Sequence, residues 1–215
     1  IRDENGRKIR AAFRAKEGFE LISADYAQIE LVILAHLSGD VNLIEAFNSG
    51  VDVHRRTASL IFRVENAEVT PDMRRVAKTI NFGVMYGMSA FRLANELRIP
   101  RGEAAGFINT YFDTYSGVAS FMEETKALAK RQGYVETIFG RRRYVRGIQS
   151  QNKMEVSAAE RIAINSPIQG SAADIVKKAM LSVDEALSRE KLGAKMLLQV
   201  HDELILECPE AQVGK

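Results

Sequence analysis

Three carboxylates at two places in the chain are the residues best suited to chemistry. Asp25 ends the apolar run FELISAD, and Asp202-Glu203 sit side by side within QVHDELILE. The runs KMLLQV and LILE around the second pair read as short strands, and the turn joining them lacks the Gly or Asn-Gly that hairpins favour. Taken singly, Asp25 reads as a helix N-cap and Asp202-Glu203 as exposed turn acids. Taken together, acids at the ends of neighbouring strands of one sheet can converge on a divalent cation. Mg2+ takes one or two carboxylates plus phosphate oxygens, and phosphoryl transfer through two metals uses carboxylates that bridge them.

A second set lies in PDMRRVAKTINFGVMYG, where Arg74, Lys78, Phe82 and Tyr86 recur every four residues. At about 100° per residue each step drifts only about 40°, so the four form one stripe, with Val76, Ile80 and Gly83 on the opposite, core side. An amphipathic surface helix would align cations in the same way. Two large aromatics on the cationic stripe point instead to a nucleoside triphosphate, with cations for phosphates and a ring for sugar or base. A third set, Arg161, Asn165 and Gln169, is spaced along one helical face and has the side chains that reach base edges and sugars in a groove. A solvated face is the plain alternative, and Pro167 should kink or end that helix.

The elements that must position these groups are legible in outline. FELISAD is a strand, and the helix YAQIELVILAHL after it stops at Ser38-Gly39. Helices then run almost continuously from Asn42 to about Gln132, with Thr70-Pro71 as N-cap and first helical residue. A hairpin turns at Gly140, one helix covers Met154 to about Ile164, another follows Gly170, and a hairpin closes the chain. Strands at both ends with helices between predict an α+β fold, an antiparallel sheet with an inserted, mostly helical part.

The 215 residues are 46% hydrophobic and 27% charged, enough for a real core, with a net charge of +2. One cysteine, Cys208, excludes an internal disulfide and suits a reducing compartment. No apolar run has the length of a membrane span. The net charge alone does not call for nucleic acid, but three basic clusters (Arg74, Arg75 and Lys78; Arg141, Arg142, Arg143 and Arg146; Lys177-Lys178) favour one polyanion-facing side. The chain starts at Ile and stops on a polar run after a strand, which reads as part of something longer.

DYAQIEL, RRVAKTINFGVMYG and QVHDE, in this order and spacing, resemble the three polymerase motifs of the A family of DNA polymerases, the bacterial DNA polymerase I type, and RIAINSPIQGSAAD resembles a fourth family segment. The resemblance spans essentially the whole chain. It implies template-directed DNA synthesis from dNTPs onto a primer 3′-hydroxyl, with two Mg2+ ions (Mn2+ as a substitute) held by Asp25, Asp202 and the backbone carbonyl of Tyr26. Glu203 would assist charge balance, and Lys78 would protonate the leaving group. Arg74 and Lys78 would hold the triphosphate, with Gln28 and His54 near the phosphates. Phe82 would stack by the sugar and base, Tyr86 near the template, and Glu30 would exclude a 2′-hydroxyl, its helix packing Ile29, Val32 and Ile33 into the core. Arg161, Asn165, Gln169 and His201 would follow the minor groove of primer–template DNA.

The resemblance further implies a palm, residues 1–51 with 151–215, and fingers, residues 52–150. A monomer inside a bacterial cytoplasm, or encoded by a phage, is expected, with no membrane partner. The family's thumb, last palm segment and any exonuclease domain are not among these residues, which leaves activity of the isolated chain open. Val32 and Arg146 stand where the family commonly has Arg and Pro. A single-subunit RNA polymerase shares the fold but needs a small residue at Glu30. A non-catalytic nucleic-acid-binding module would have no use for a metal pair.

Overall fold

The computed structural model describes residues 4–214. In chain order its main elements are α1 (Glu4–Ala11), β1 (Phe19–Asp25), α2 (Ile29–Ser38), α3 (Val41–Asn48), α4 (Val53–Phe62), α5 (Pro71–Met85) and α6 (Ala90–Leu97). There follow α7 (Arg101–Thr114), α8 (Ser116–Gln132), β2 (Tyr134–Glu136), β3 (Arg142–Tyr144), α9 (Lys153–Arg189), β4 (Lys195–Val200) and β5 (Glu203–Pro209). The expected α+β class holds. Packing divides the chain into two compact units, residues 1–27 with 173–215 and residues 28–172. Among the described residues no helix is long and apolar enough to cross a membrane.

In the first unit the two ends of the chain meet in one antiparallel sheet of order β1-β5-β4. Central β5 alternates with the strand period of two: Leu204, Leu206 and Cys208 are buried, while Glu203, Ile205 and Glu207 occupy the other face. Its register with β1 runs from Phe19 opposite Pro209 to Asp25 opposite Glu203. The β4–β5 ladder slips once, since Met196 pairs with Leu206 but Leu198 with Ile205, leaving Leu197 as a one-residue bulge.

In the second unit the sequence signals for α5 act as expected. Thr70 Oγ1 accepts from the Met73 N–H at 3.2 Å and Pro71 occupies the first turn, where its missing N–H is harmless. The helix buries Ala77, Ile80, Asn81, Val84 and Met85 and turns Arg74, Lys78, Phe82 and Tyr86 outward from that face. Helix α2 buries Ile29, Leu31, Ile33, Leu34 and Ala35, most of its circumference. Val32, expected in the core, is instead 44% exposed, because it and His36 lie one turn apart on the only strip left open.

The expected break near Pro167 does not occur, and α9 runs unbroken from Lys153 to Arg189. A proline inside a helix costs about 3 kcal/mol through its missing N–H and ring clash. Burial of Ala163, Ile164, Ile168 and Ala172 around it offsets that cost. The second helix expected after Gly170 is the same helix, which runs through the glycine. A Cβ there would lie 2.7 Å from Thr137 Cγ2, so the glycine lets the β2–β3 hairpin settle on the helix. Arg141 Nη2 donates to the Gly170 carbonyl at 3.0 Å and Ser171 Oγ accepts from the Ile138 N–H at 3.0 Å, fixing the hairpin there.

Candidate nucleotidyl-transfer site

The acids of the first unit gather at one end of its sheet. Asp25 is the last residue of β1 and lies directly opposite Glu203, so the two side chains project from the same face. The Tyr26 N–H donates to the Asp202 carbonyl at 3.2 Å, extending the ladder one step past the strand and tying Tyr26 to the hairpin tip. Ser23 Oγ donates to Glu203 Oε1 from the same face of β1. Ser23 had no mark in the sequence, where only strand register could have brought it to Glu203.

The turn joining β4 to β5 is only two residues long, His201 and Asp202, because Val200 pairs with Glu203. His201 takes the left-handed conformation, φ 57°, that a Gly would occupy at lower cost. Its carbonyl accepts from Gln199 Nε2 at 2.7 Å, and its side chain is exposed. Strain held by a non-glycine residue at the tip of an acidic hairpin fits a turn selected for its side chains.

Asp25, Asp202 and the Tyr26 carbonyl match the donors Mg2+ uses, one or two carboxylates with the remaining positions taken by water and substrate phosphates. Among the described residues no group of three or more Asp, Glu, His or Cys side chains is placed to hold a metal ion, so water and substrate phosphates would have to supply the other positions. Opposed carboxylates such as Asp25 and Glu203 repel, which a cation would relieve.

In the second unit Arg74, Lys78, Phe82 and Tyr86 share one face of α5. Arg74 is held by Asp52, whose Oδ2 accepts from its Nε at 2.9 Å and its Nη2 at 2.6 Å. The other carboxylate oxygen of Asp52 caps α4, accepting the His54 and Arg55 N–H groups at 2.9 and 3.0 Å. Burial pushes the Asp52 carboxyl up, but the Arg74 and Arg55 hydrogen bonds and the Arg74 charge outweigh it and hold the group below the ordinary range. Nothing in the sequence marks Asp52 or announces its partner 22 residues away.

His54 is 2% exposed, with Nδ1 2.9 Å from Asn81 Nδ2 and its ring 5.7 Å from that of Phe82, so it backs the stripe from the interior. Glu30, in the first turn of α2, accepts a hydrogen bond from the Tyr86 hydroxyl, which brings two of the expected nucleotide residues together. Gln28, the N-cap of α2, is left-handed at φ 58°, ψ 34°. On α9, Arg161 and Gln169 are exposed and Asn165 is half-buried. Arg161 Nη1 donates to Ser157 Oγ at 3.1 Å, and the Asn165 Oδ1 is a buried oxygen with no hydrogen-bond partner.

A family model described as DNA polymerase family A matches residues 1–215, and the chain belongs to that family. It is 56% identical over 214 residues to DNA polymerase I of Treponema pallidum, covering 100% of this chain and 22% of that protein. To the thermostable DNA polymerase I of Thermus aquaticus it is 54% identical over 210 residues, covering 98% of this chain and 25% of that one. A solved structure, the POL domain of Pol1 from M. smegmatis in complex with DNA primer-template and dNTP, matches with a TM-score of 0.95 at 48% identity, covering 100% of this chain and 38% of that one. The chain therefore spans about a quarter of the length of these curated relatives.

Proposed function

We propose that the chain forms the palm and fingers part of a DNA-directed DNA polymerase of the DNA polymerase I type, acting in replication and repair on primer–template DNA and dNTPs. The observation that carries this is the strand end where Asp25 opposes Glu203 while Tyr26 is tied to Asp202. Two Mg2+ ions, held by Asp25, Asp202 and the Tyr26 carbonyl, would activate the primer 3′-hydroxyl and neutralise the triphosphate and its leaving group.

The chain's own residues bind and orient around that chemistry. Arg74 and Lys78 grip the triphosphate, and Lys78 delivers a proton to the departing pyrophosphate. Phe82 lies along the sugar and base, and Tyr86 lies near the template. Glu30, held by the Tyr86 hydroxyl, presses on C2′ so that an added hydroxyl meets a steric and desolvation cost. Gln28 and His54 complete the phosphate side. Arg161, Asn165, Gln169 and His201 follow the minor groove, where Arg, Asn and Gln hydrogen-bond base edges and sugars. Residues 52–150 are the fingers, and residues 1–51 with 151–215 are the palm.

Primer extension by the full-length enzyme tests the reading. Asp202→Asn should cut the rate by roughly 10³-fold, the scale of lost transition-state charge stabilisation, with DNA affinity little changed. Near-normal extension by that variant would remove the site.

A further inference from the structure

Behind the α5 stripe four polar side chains form one buried chain. Tyr115, Thr57, Asn81 and His54 are 1%, 0%, 0% and 2% exposed. Tyr115 Oη lies 3.1 Å from Thr57 Oγ1, which is 2.8 Å from the Val53 carbonyl oxygen and 3.2 Å from Asn81 Oδ1. Asn81 Nδ2 lies 2.9 Å from His54 Nδ1. The chain joins α4, α5 and the residue that opens α8.

Buried polar groups need partners, so each proton must be placed. Thr57 shares its one hydroxyl hydrogen between two acceptors, the Val53 carbonyl and Asn81 Oδ1, in a three-centre bond; the Tyr115 hydroxyl must therefore donate to Thr57. With its oxygen turned to Thr57, Asn81 offers an amide N–H to His54 Nδ1, which accepts. The single ring proton is then on Nε2. A second proton on Nδ1 would set N–H against N–H between two buried side chains.

We infer that Asn81, backed by Thr57 and Tyr115, is a positioning residue that fixes His54 as a neutral imidazole protonated on Nε2, a hydrogen-bond donor at the nucleotide face. This rests on reading the α5 stripe as the triphosphate site. There the arrangement gives phosphate oxygens a donor without adding a third cation beside Arg74 and Lys78, and it braces α5 against α4. The electrostatics agree: burial is the main force lowering the His54 pKa, to about 4, with Asp52 pulling it up and Arg74 and Lys78 pushing it further down.

The test uses the full-length enzyme and two readouts. Deuterium exchange at the imidazole Cε1, resolved by peptide mass spectrometry across pH, reports His54 protonation without reference to activity. Steady-state kinetics give KM and kcat for a dNTP. Wild-type His54 should show no inflection between about pH 5 and 8. In Asn81→Asp the new carboxylate accepts from Nδ1–H, so an inflection should enter that window. The dNTP KM should rise about tenfold while kcat changes less than about threefold, because the ring proton has moved off Nε2. Thr57→Val should raise KM in the same direction and Thr57→Ser should restore it, a pair that carries the test if Asn81→Asp does not fold.

Wild-type titration near the ordinary 6.5, or an Asn81→Asp profile identical to wild type, overturns the inference. So does an unmoved KM in Asn81→Asp and Thr57→Val. A Lys78→Ala enzyme with unchanged dNTP KM would instead overturn the nucleotide reading beneath it.

Discussion

Replacing Asp25 by Asn should stabilise the sheet while stopping the chemistry. Asp25 is exposed and lies directly opposite half-buried Glu203, and side chains so paired have Cβ atoms about 4.5–5.5 Å apart. Two unit charges about 5 Å apart repel by about 0.8 kcal/mol in a water-like dielectric and about 3 kcal/mol at an effective dielectric of about 20. Exposure of Asp25 places the pair toward the lower figure, about 1–1.5 kcal/mol. Glu203 cannot readily swing away, because Ser23 holds it. In a chelator, then, Asp25→Asn should raise the free energy of local opening across β1 and β5 by about that amount. Saturating Mg2+ should reverse the order: at about 100 times its Kd a ligand adds about 2.7 kcal/mol to the form that binds it, and under the proposed metal site the variant lacks one of the ligands. Amide hydrogen exchange in β1 and β5, with chelator and with Mg2+, reads both arms on the enzyme used for primer extension. A variant less stable than wild type in chelator would show that Asp25 and Glu203 do not repel across the ladder, and equal Mg2+ protection of the two proteins would show that Asp25 holds no metal.

Three further outcomes can be checked. The His54 pKa is lowered from 6.5 to about 4 on folding, so the unfolded chain takes a proton first; stability is full above about pH 6.5 and falls by about 1.4 kcal/mol per pH unit down to about 4. Amide exchange in α4 should show about 2 kcal/mol lost by pH 5, a slope that His54→Gln must abolish if the linkage is right. Glu30→Ala should raise the ribonucleotide-to-deoxynucleotide kcat/KM ratio at least tenfold, equivalent to about 1.4 kcal/mol, and an unmoved ratio would show that Glu30 is not the gate. Gly117→Ala sets a Cβ 2.9 Å from the Asp40 Cα, which cannot move because Asp40 caps α3 and also accepts the Gly117 N–H at 2.8 Å. It should cost about 2–3 kcal/mol, whereas Gly106→Ala, mid-helix in α7 with nothing within 4 Å, should gain about 0.5–1 kcal/mol in thermal unfolding.

Much of the architecture is legible because it is local. The period of α5, the Thr70-Pro71 start, the Ser38-Gly39 stop and the apolar end runs each follow from a few neighbouring residues. Legibility ends where long-range packing overrides a local rule. Pro167 should break a helix by its own chemistry, yet buried contacts of its neighbours carry α9 through it. Val32 looks like a core residue by type and lies on the one open strip of α2. The site divides in the same way. The acids and the cationic stripe stand out by type and spacing, but the groups that hold them, Ser23 for Glu203, Asp52 for Arg74 and Asn81 for His54, are distant or unremarkable in sequence and appear only with the register and the helix packing.

The bulge at Leu197 makes this part of the chain tolerant of a change in length. On its two sides the β4–β5 ladder is out of step by one residue, Met196 with Leu206 and Leu198 with Ile205. Deleting Leu197 would make Met196 and Leu198 consecutive and leave every β4–β5 pairing in place, now as an uninterrupted ladder. The His201-Asp202 turn would keep its two residues, and Glu203 would stay opposite Asp25, because that register is set by β1 and not by β4. A deletion inside a strand usually flips every later side chain to the other face. Here it would erase a kink instead, so this strand can lose one residue without displacing the acids at its tip.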